Sequence, residues 1–196
     1  MLGGEDIRRV ASGRETVRFA LRRATAEHHL RTEAAFDHHD IGSLAGYARF
    51  LDAHRAALHA IEPQLDGGGW REWRPRLPEL ERDRAALPVP VPHRIDSAPF
   101  ALPPGNAAIW GAQYVLEGSR LGGQVLATRI PDGAPHDYIA GPSSGAAWRR
   151  FCTALDMAAP AGDPLRKSWL LEALEGAKAA FMTFQHAART PQEIAA

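Results

Sequence analysis

Apolar residues recur along the chain at three- and four-residue spacing, and no stretch of any length alternates with the period of a strand. The clearest helical pattern follows Ser43 in LAGYARFLDAHRAALHAIEPQL, where Leu44, Tyr47, Leu51, His54, Leu58, Ile61 and Leu65 share one face. An earlier helix is expected to start near residue 13, because Ser12 and Glu15 fit an S-x-x-E capping box, and to continue through ETVRFALRRATAEHHLRTEAAF. Three glycines at 67–69 break the chain, and a third, more polar helix is expected from Trp70 to Leu87. Six prolines between 88 and 104 exclude regular helix and central strand, and predict an extended connector over 88–105.

The helical pattern resumes in NAAIWGAQYVLEGSRLGGQVLATRI, interrupted only by its glycines. PDGAPHDYIAGPSSG reads as a loop and AAWRRFCTALDMAA as a short helix. The last helix is DPLRKSWLLEALEGAKAAFMTFQHAAR, with Asp163 as its cap and Pro164 in its first turn. The pattern predicts an all-α protein of roughly six helices. It forms one domain over residues 1–196, with 1–12 a loose N-terminal segment and no internal repeat.

Charge and composition narrow the function classes. Lysine plus arginine and aspartate plus glutamate both number 23, so no basic excess points to nucleic acid. A single cysteine, Cys152, cannot form an internal disulfide. MLGGEDIRRVASGRE lacks the apolar core of a signal peptide, and no apolar run approaches the ~20 residues of a membrane span. The expectation is a soluble cytoplasmic protein that binds neither nucleic acid nor membrane.

Two stretches could carry chemistry. In YVLEGSRLGGQVL, Gly118, Gly122 and Gly123 lie inside a helix, where each costs about 1 kcal/mol relative to alanine. Gly118 and Gly122 share a face, and Gly123 widens the strip. A strip without side chains suits close helix packing or a flat ligand lying against the backbone, and its glycines also let a helix bend. In LRRATAEHHLRTEAAF, helical spacing puts His28 on the apolar stripe of Val17, Leu21, Ala24 and Ala35. His29 falls about 100° away, on a mixed strip with Arg18, Arg22, Thr25, Glu33 and Phe36. Periodicity makes His28 the buried histidine and leaves His29 at the edge of the core. Spacing alone does not choose between them as a ligand.

Other constellations are thin. No Glu-x-x-His pair of a di-iron bundle occurs. His38-His39-Asp40 reads as a solvated loop before it reads as a metal site. Cys152 sits on an apolar face between Phe151 and Leu155, as a core thiol does, and has no zinc-ligand spacing around it. No phosphate loop or dinucleotide fingerprint appears, so any electrons must come from another protein.

Taken together and in order, LRRATAEHHLRTEAAF, YVLEGSRLGGQVL and AKAAFMTFQHAA resemble the haem oxygenase family. The likeness is to its bacterial biliverdin-producing branch, often encoded beside bacteriophytochromes, and runs from about residue 17 to 189. The resemblance implies that haem lies between the first helix and a kinked glycine-rich helix. It assigns His29, not His28, as the proximal ligand of the iron, with Glu33 supporting its imidazole. Arg22 and Arg149 would contact the propionates, and Phe181 would line the pocket. Gly118, Ser119, Gly122 and Gly123 would form the catalytic distal stretch. Ser119 is a departure, since many members carry there an aspartate that organises water near bound oxygen. Glu117, two residues earlier, is not assumed to replace it. The implied activity is oxidative cleavage of haem to biliverdin, CO and ferrous iron, with O2 and electrons from a ferredoxin or reductase, and a bacteriophytochrome as receiver of the product. The rival readings are a haem carrier or sensor, a thiaminase-like helical hydrolase, and a purely structural bundle.

Overall fold

The computed structural model describes residues 16–91, 99–141 and 145–189. Among the described residues there are seven α-helices and no strand. They are α1 (Val17–Phe36), α2 (Leu44–Ile61), α3 (Leu77–Ala86), α4 (Asn106–Ala127), α5 (Asp137–Ala140), α6 (Gly145–Ala158) and α7 (Asp163–Arg189), with a 3-10 turn, Glu62–Leu65, after α2.

Helix α7 is the spine, against which α1, α2 and α4 all pack. The closest crossing is between α4 and α7. A Cβ on Gly111 would run into the carbonyl of Ala173, and one on Gly176 into the carbonyl of Ala108. The two backbones therefore touch, and only glycine permits it at either position. Two apolar clusters flank the crossing. One joins Tyr47, Leu51, Leu58 and Ile61 of α2 to Leu116 of α4 and Phe184 of α7. The other joins Val17 and Leu21 of α1 to Phe151 and Leu155 of α6 and Leu170 and Leu174 of α7. Helices α1 and α4 both reach the second cluster, α1 through Val17 and Leu21 and α4 through Ala107 and Trp110.

Helix starts are set by distant carboxylates. Among the described residues the first helix begins at Val17, where Thr16 is extended and the Val17 N–H donates to Asp156 of α6 at 2.6 Å. The Ser12–Glu15 capping box and the segment 1–12 lie outside the described residues. The third helix begins at Leu77, not Trp70. Pro75 disfavours helix in the residue before it, and the Glu62 carboxylate accepts the N–H of Arg76 at 2.7 Å and of Leu77 at 3.2 Å. Glu172 of α7 takes the Ala107 N–H at the start of α4, and Asp83 takes the Tyr138 N–H at the start of α5. A carboxylate at a helix N-terminus meets free N–H groups and the positive end of the dipole.

Helix α5 interrupts what the sequence predicts as a loop. The proline-rich stretch carries neither helix nor strand at 88–91 and 99–105, and 92–98 lies outside the described residues. Its start is tied down by the buried Arg84, which donates to Asp52 at 2.8 Å and to the carbonyls of Val89 and Pro90. Among the described residues no helix is long and apolar enough to cross a membrane.

Candidate functional site

The histidine pair of α1 meets α7 at Phe181. The His28 ring stacks on Phe181 at 6.4 Å, and the His29 ring meets it edge-on at 6.1 Å. His28 is the more buried of the two, as periodicity predicts. Its Nδ1 has no hydrogen-bond partner, and burial, helped by Lys178 and Arg31, pushes its pKa down. Its carbonyl is bonded by Gln185 of α7 at 3.1 Å, which locks this turn of α1 to the spine. His29 stands at the rim, with its side chain 62% exposed. Its Nδ1 faces Glu33 Oε2 at 3.5 Å, one helical turn on. A carboxylate there favours the tautomer protonated on Nδ1, which leaves the Nε2 lone pair available to a Lewis acid.

The glycine-rich helix α4 is helical throughout Asn106–Ala127, uninterrupted by its glycines. A Cβ on Gly122 would meet nothing within 4 Å, and one on Gly118 only the edge of Trp148, at 3.7 Å. Leu121 and Val125 are exposed along the same turns, Val125 to 70%. The result is an uncovered apolar strip on this face of α4. Gly123 is different from its neighbours. It is buried, and a Cβ there would strike the carbonyl of Ile139. The expectation that Gly123 widens the open strip is therefore corrected: its missing side chain lets α5 pack on α4.

Ser119 is in a polar network that the sequence does not announce. Its hydroxyl donates to the Leu116 carbonyl at 2.8 Å and accepts from Arg76 Nη1 at 3.3 Å. Arg76 is buried, donates through Nη2 to the Tyr138 carbonyl, and lies over the Tyr138 ring at 4.4 Å. The Tyr138 hydroxyl in turn meets His54 Nδ1 at 2.7 Å. His54 is boxed by Phe36, Phe50 and Phe184, and this desolvation lowers its pKa to about 3. Behind Ser119, Glu117 is only 3% exposed, with Oε1 unpartnered and Oε2 3.7 Å from Arg120. Desolvation raises the Glu117 pKa, opposed by Arg120 and Arg76. Arg76 sits in an unremarkable run between Pro75 and Pro78, so no local pattern marks it. Trp148, in AWRRF, is a second residue that only the fold brings to the strip.

The two arginines expected at the rim lie apart. Arg22 lines a shallow recess on α1 with Phe19, Arg23 and Ala26. Arg149 lines another on α6, with Trp70, Glu72, Arg150 and Met157. His39 corrects the reading of 38–40 as a solvated loop: it is buried, and its ring packs against Phe36 and Phe50. Among the described residues no group of three or more His, Cys, Asp or Glu side chains could hold a metal ion. The Cys152 thiol is buried and its pKa is pushed up by desolvation, as suits a core thiol and not a nucleophile.

No family model matches the chain. It is 35% identical over 126 residues to a heme oxygenase of Xanthomonas campestris pv. campestris, a stretch covering 56% of this chain and 72% of that protein. Its fold is similar to the solved structure of heme oxygenase from Leptospira interrogans, with TM-score 0.62, 20% identity, and coverage of 89% of this chain and 98% of that one. The second likeness speaks for the fold, and the first ties that fold to a lineage. The all-helical frame agrees with both, and the chain belongs to the haem oxygenase family.

Proposed function

We propose that this haem oxygenase holds haem between α1 and α4 and opens the ring to biliverdin, CO and ferrous iron. The observation that carries the reading is the His29–Glu33 pair: an exposed imidazole on α1 with a carboxylate 3.5 Å from its Nδ1. The fit to a porphyrin is supported on α4 by Gly122, which has open space above it, flanked by Leu121 and Val125. A large, flat, apolar molecule would cover that strip and gain roughly 25 cal/mol for each Å² of apolar surface removed from water.

Haem is the substrate, and its iron supplies the oxygen-activating chemistry. The protein's residues bind, orient and tune. His29 would ligate the iron through Nε2, and Glu33 would hold the ring in orientation. A neutral imidazole donates less strongly than a thiolate, which suits a reaction in which the O–O bond must not be split heterolytically. Phe181 backs the imidazole with an apolar edge. Arg22 and Arg149 are assigned to the propionates. Gly118 and Gly122 let the backbone of α4 approach the ring face, and Ser119 takes the position of the polar residue on the distal side. O2 is the co-substrate. Electrons come from a ferredoxin or reductase, since no nucleotide-binding fingerprint is present in the sequence. The bacteriophytochrome-associated branch, a bacteriophytochrome as receiver of the bilin and a cytoplasmic location complete the reading.

The test is spectroscopic. With haemin, ascorbate or a ferredoxin system, and air, the Soret band should decay as free biliverdin absorption grows. A haem complex that persists under those conditions, with no bilin absorption, would leave a carrier and not an enzyme.

A further inference from the structure

Four buried or half-buried charges lie on or beside the glycine helix: Glu62, Arg76, Glu117 and Arg120. We propose that Arg76 is a positioning residue of the distal side, acting through Ser119 to fix a one-directional hydrogen-bond acceptor under a positive charge. The inference rests on the haem reading above.

A serine hydroxyl has one hydrogen and two lone pairs. In Ser119 the hydrogen is spent on the Leu116 carbonyl at 2.8 Å, and one lone pair is taken by Arg76 Nη1 at 3.3 Å. A single lone pair remains. Ser119 therefore accepts from a bound water and cannot donate to it. An aspartate at this position would bring a full negative charge; Ser119 brings a neutral oxygen with a guanidinium behind it.

The guanidinium cannot swing away. Its Nη2 is bonded to the Tyr138 carbonyl, its Cζ lies 4.4 Å from the Tyr138 ring centroid, and the Arg76 backbone N–H is held by Glu62 at 2.7 Å. A cation immobilised in this way keeps its field in one direction and costs no reorganisation when charge develops nearby. The charged and titratable groups around it are Glu62 from the 3-10 turn, Glu117 and Arg120 of α4, Tyr138 of α5 and His54 of α2, with Glu79 of α3 acting on Tyr138. Burial raises the pKa of both Glu62 and Glu117 and lowers that of His54. The charge in hydrogen-bond contact with Ser119 is the Arg76 guanidinium, at 3.3 Å.

The consequence is measurable without turnover. In the ferric haem complex, a water on the distal side of the iron deprotonates in an acid–alkaline transition that absorption spectroscopy follows. A nearby cation favours the hydroxide, so Arg76→Gln should raise the midpoint by about one pH unit, while Arg76→Lys should retain most of the wild-type value. Because Arg76 acts through Ser119, the Arg76→Gln shift should shrink by at least about half in a Ser119→Ala background. An Arg76→Gln complex with the wild-type midpoint would overturn the proposal, and so would an equal shift in both backgrounds. Should Arg76→Gln fail to fold, Ser119→Ala alone decides, since an unchanged midpoint there leaves Arg76 nothing to act through. Failure of the wild-type chain to bind haem at all is a distinct outcome, which would remove the haem reading and this inference together.

Discussion

The two halves of α4 use glycine for opposite purposes. In the first half, Gly111 sits where a side chain would collide with the backbone of α7, and Gly176 returns the favour from α7. In the second half, Gly122 faces open space and Gly118 only a tryptophan edge. One helix is thus clamped at its N-terminal end and bare at its C-terminal end. Helix propensity disfavours all of these glycines equally, at about 1 kcal/mol each. Only the partner distinguishes a packing glycine from one that leaves room for a ligand. Gly123, next to Gly122 in sequence, belongs with the packing set, because α5 presses on it.

Substitutions can break this contrast. The largest effect is expected at the clamp. Gly111→Val or Gly176→Val forces a side chain into a backbone carbonyl and should lower stability by about 3 kcal/mol, read as a fall in the urea midpoint. Any loss of haem affinity should follow that loss of fold. On the bare half the order reverses. Gly122→Leu should leave the urea midpoint within about 1 kcal/mol of wild type while weakening haem binding at least about 10-fold. Gly122→Ala should gain up to about 1 kcal/mol from helix propensity. A Gly122→Leu protein with wild-type haem affinity would mean that the strip serves something else.

A pH measurement sharpens the comparison from the enclosed side. His54, boxed by aromatic rings between α2 and α7, has its pKa lowered to about 3, against about 6.5 when unfolded. A histidine with a lowered folded pKa contributes stability above its unfolded pKa, and loses it as pH falls from 6.5 toward 3. Between pH 6.5 and 5 the wild type should therefore lose about 1 kcal/mol per pH unit more than His54→Phe, measured by urea unfolding across that range. Parallel pH dependence in the two proteins would show that the ring is not held neutral by its box. The smallest effect is expected at the start of α4. Glu172→Ala removes the carboxylate that holds the Ala107 N–H at 3.1 Å and should cost about 1 kcal/mol without altering the haem spectrum.

How much of this was legible in the sequence depends on the range of the interactions. The α2 stripe of Tyr47, Leu51, Leu58 and Ile61 is a property of adjacent turns, and periodicity finds it. The burial of His28 relative to His29 is legible for the same reason. Helix starts were less so. Val17 is fixed by Asp156, Arg76 by Glu62 and Ala107 by Glu172, and no local pattern carries a partner from another helix. The site divides in the same way. His29 and Glu33 lie one turn apart, so their pairing follows from helical spacing once a helix is granted. The Arg76–Ser119 contact spans 43 residues and depends on how the segment before α3 reaches α4. The sequence marked Ser119 as a departure from the family pattern, but it held no sign of the arginine behind it.

The central claim is that His29, and not its neighbour, binds the iron. It is tested most directly by reconstituting wild type, His29→Ala and His28→Ala with ferric haem and comparing their absorption and resonance Raman spectra. The account predicts an iron–imidazole signature in wild type and in His28→Ala, and its loss in His29→Ala, with recovery on adding free imidazole. If His28→Ala loses the signature and His29→Ala keeps it, the ligand lies on the apolar stripe instead, and the Glu33-supported rim site described here is wrong.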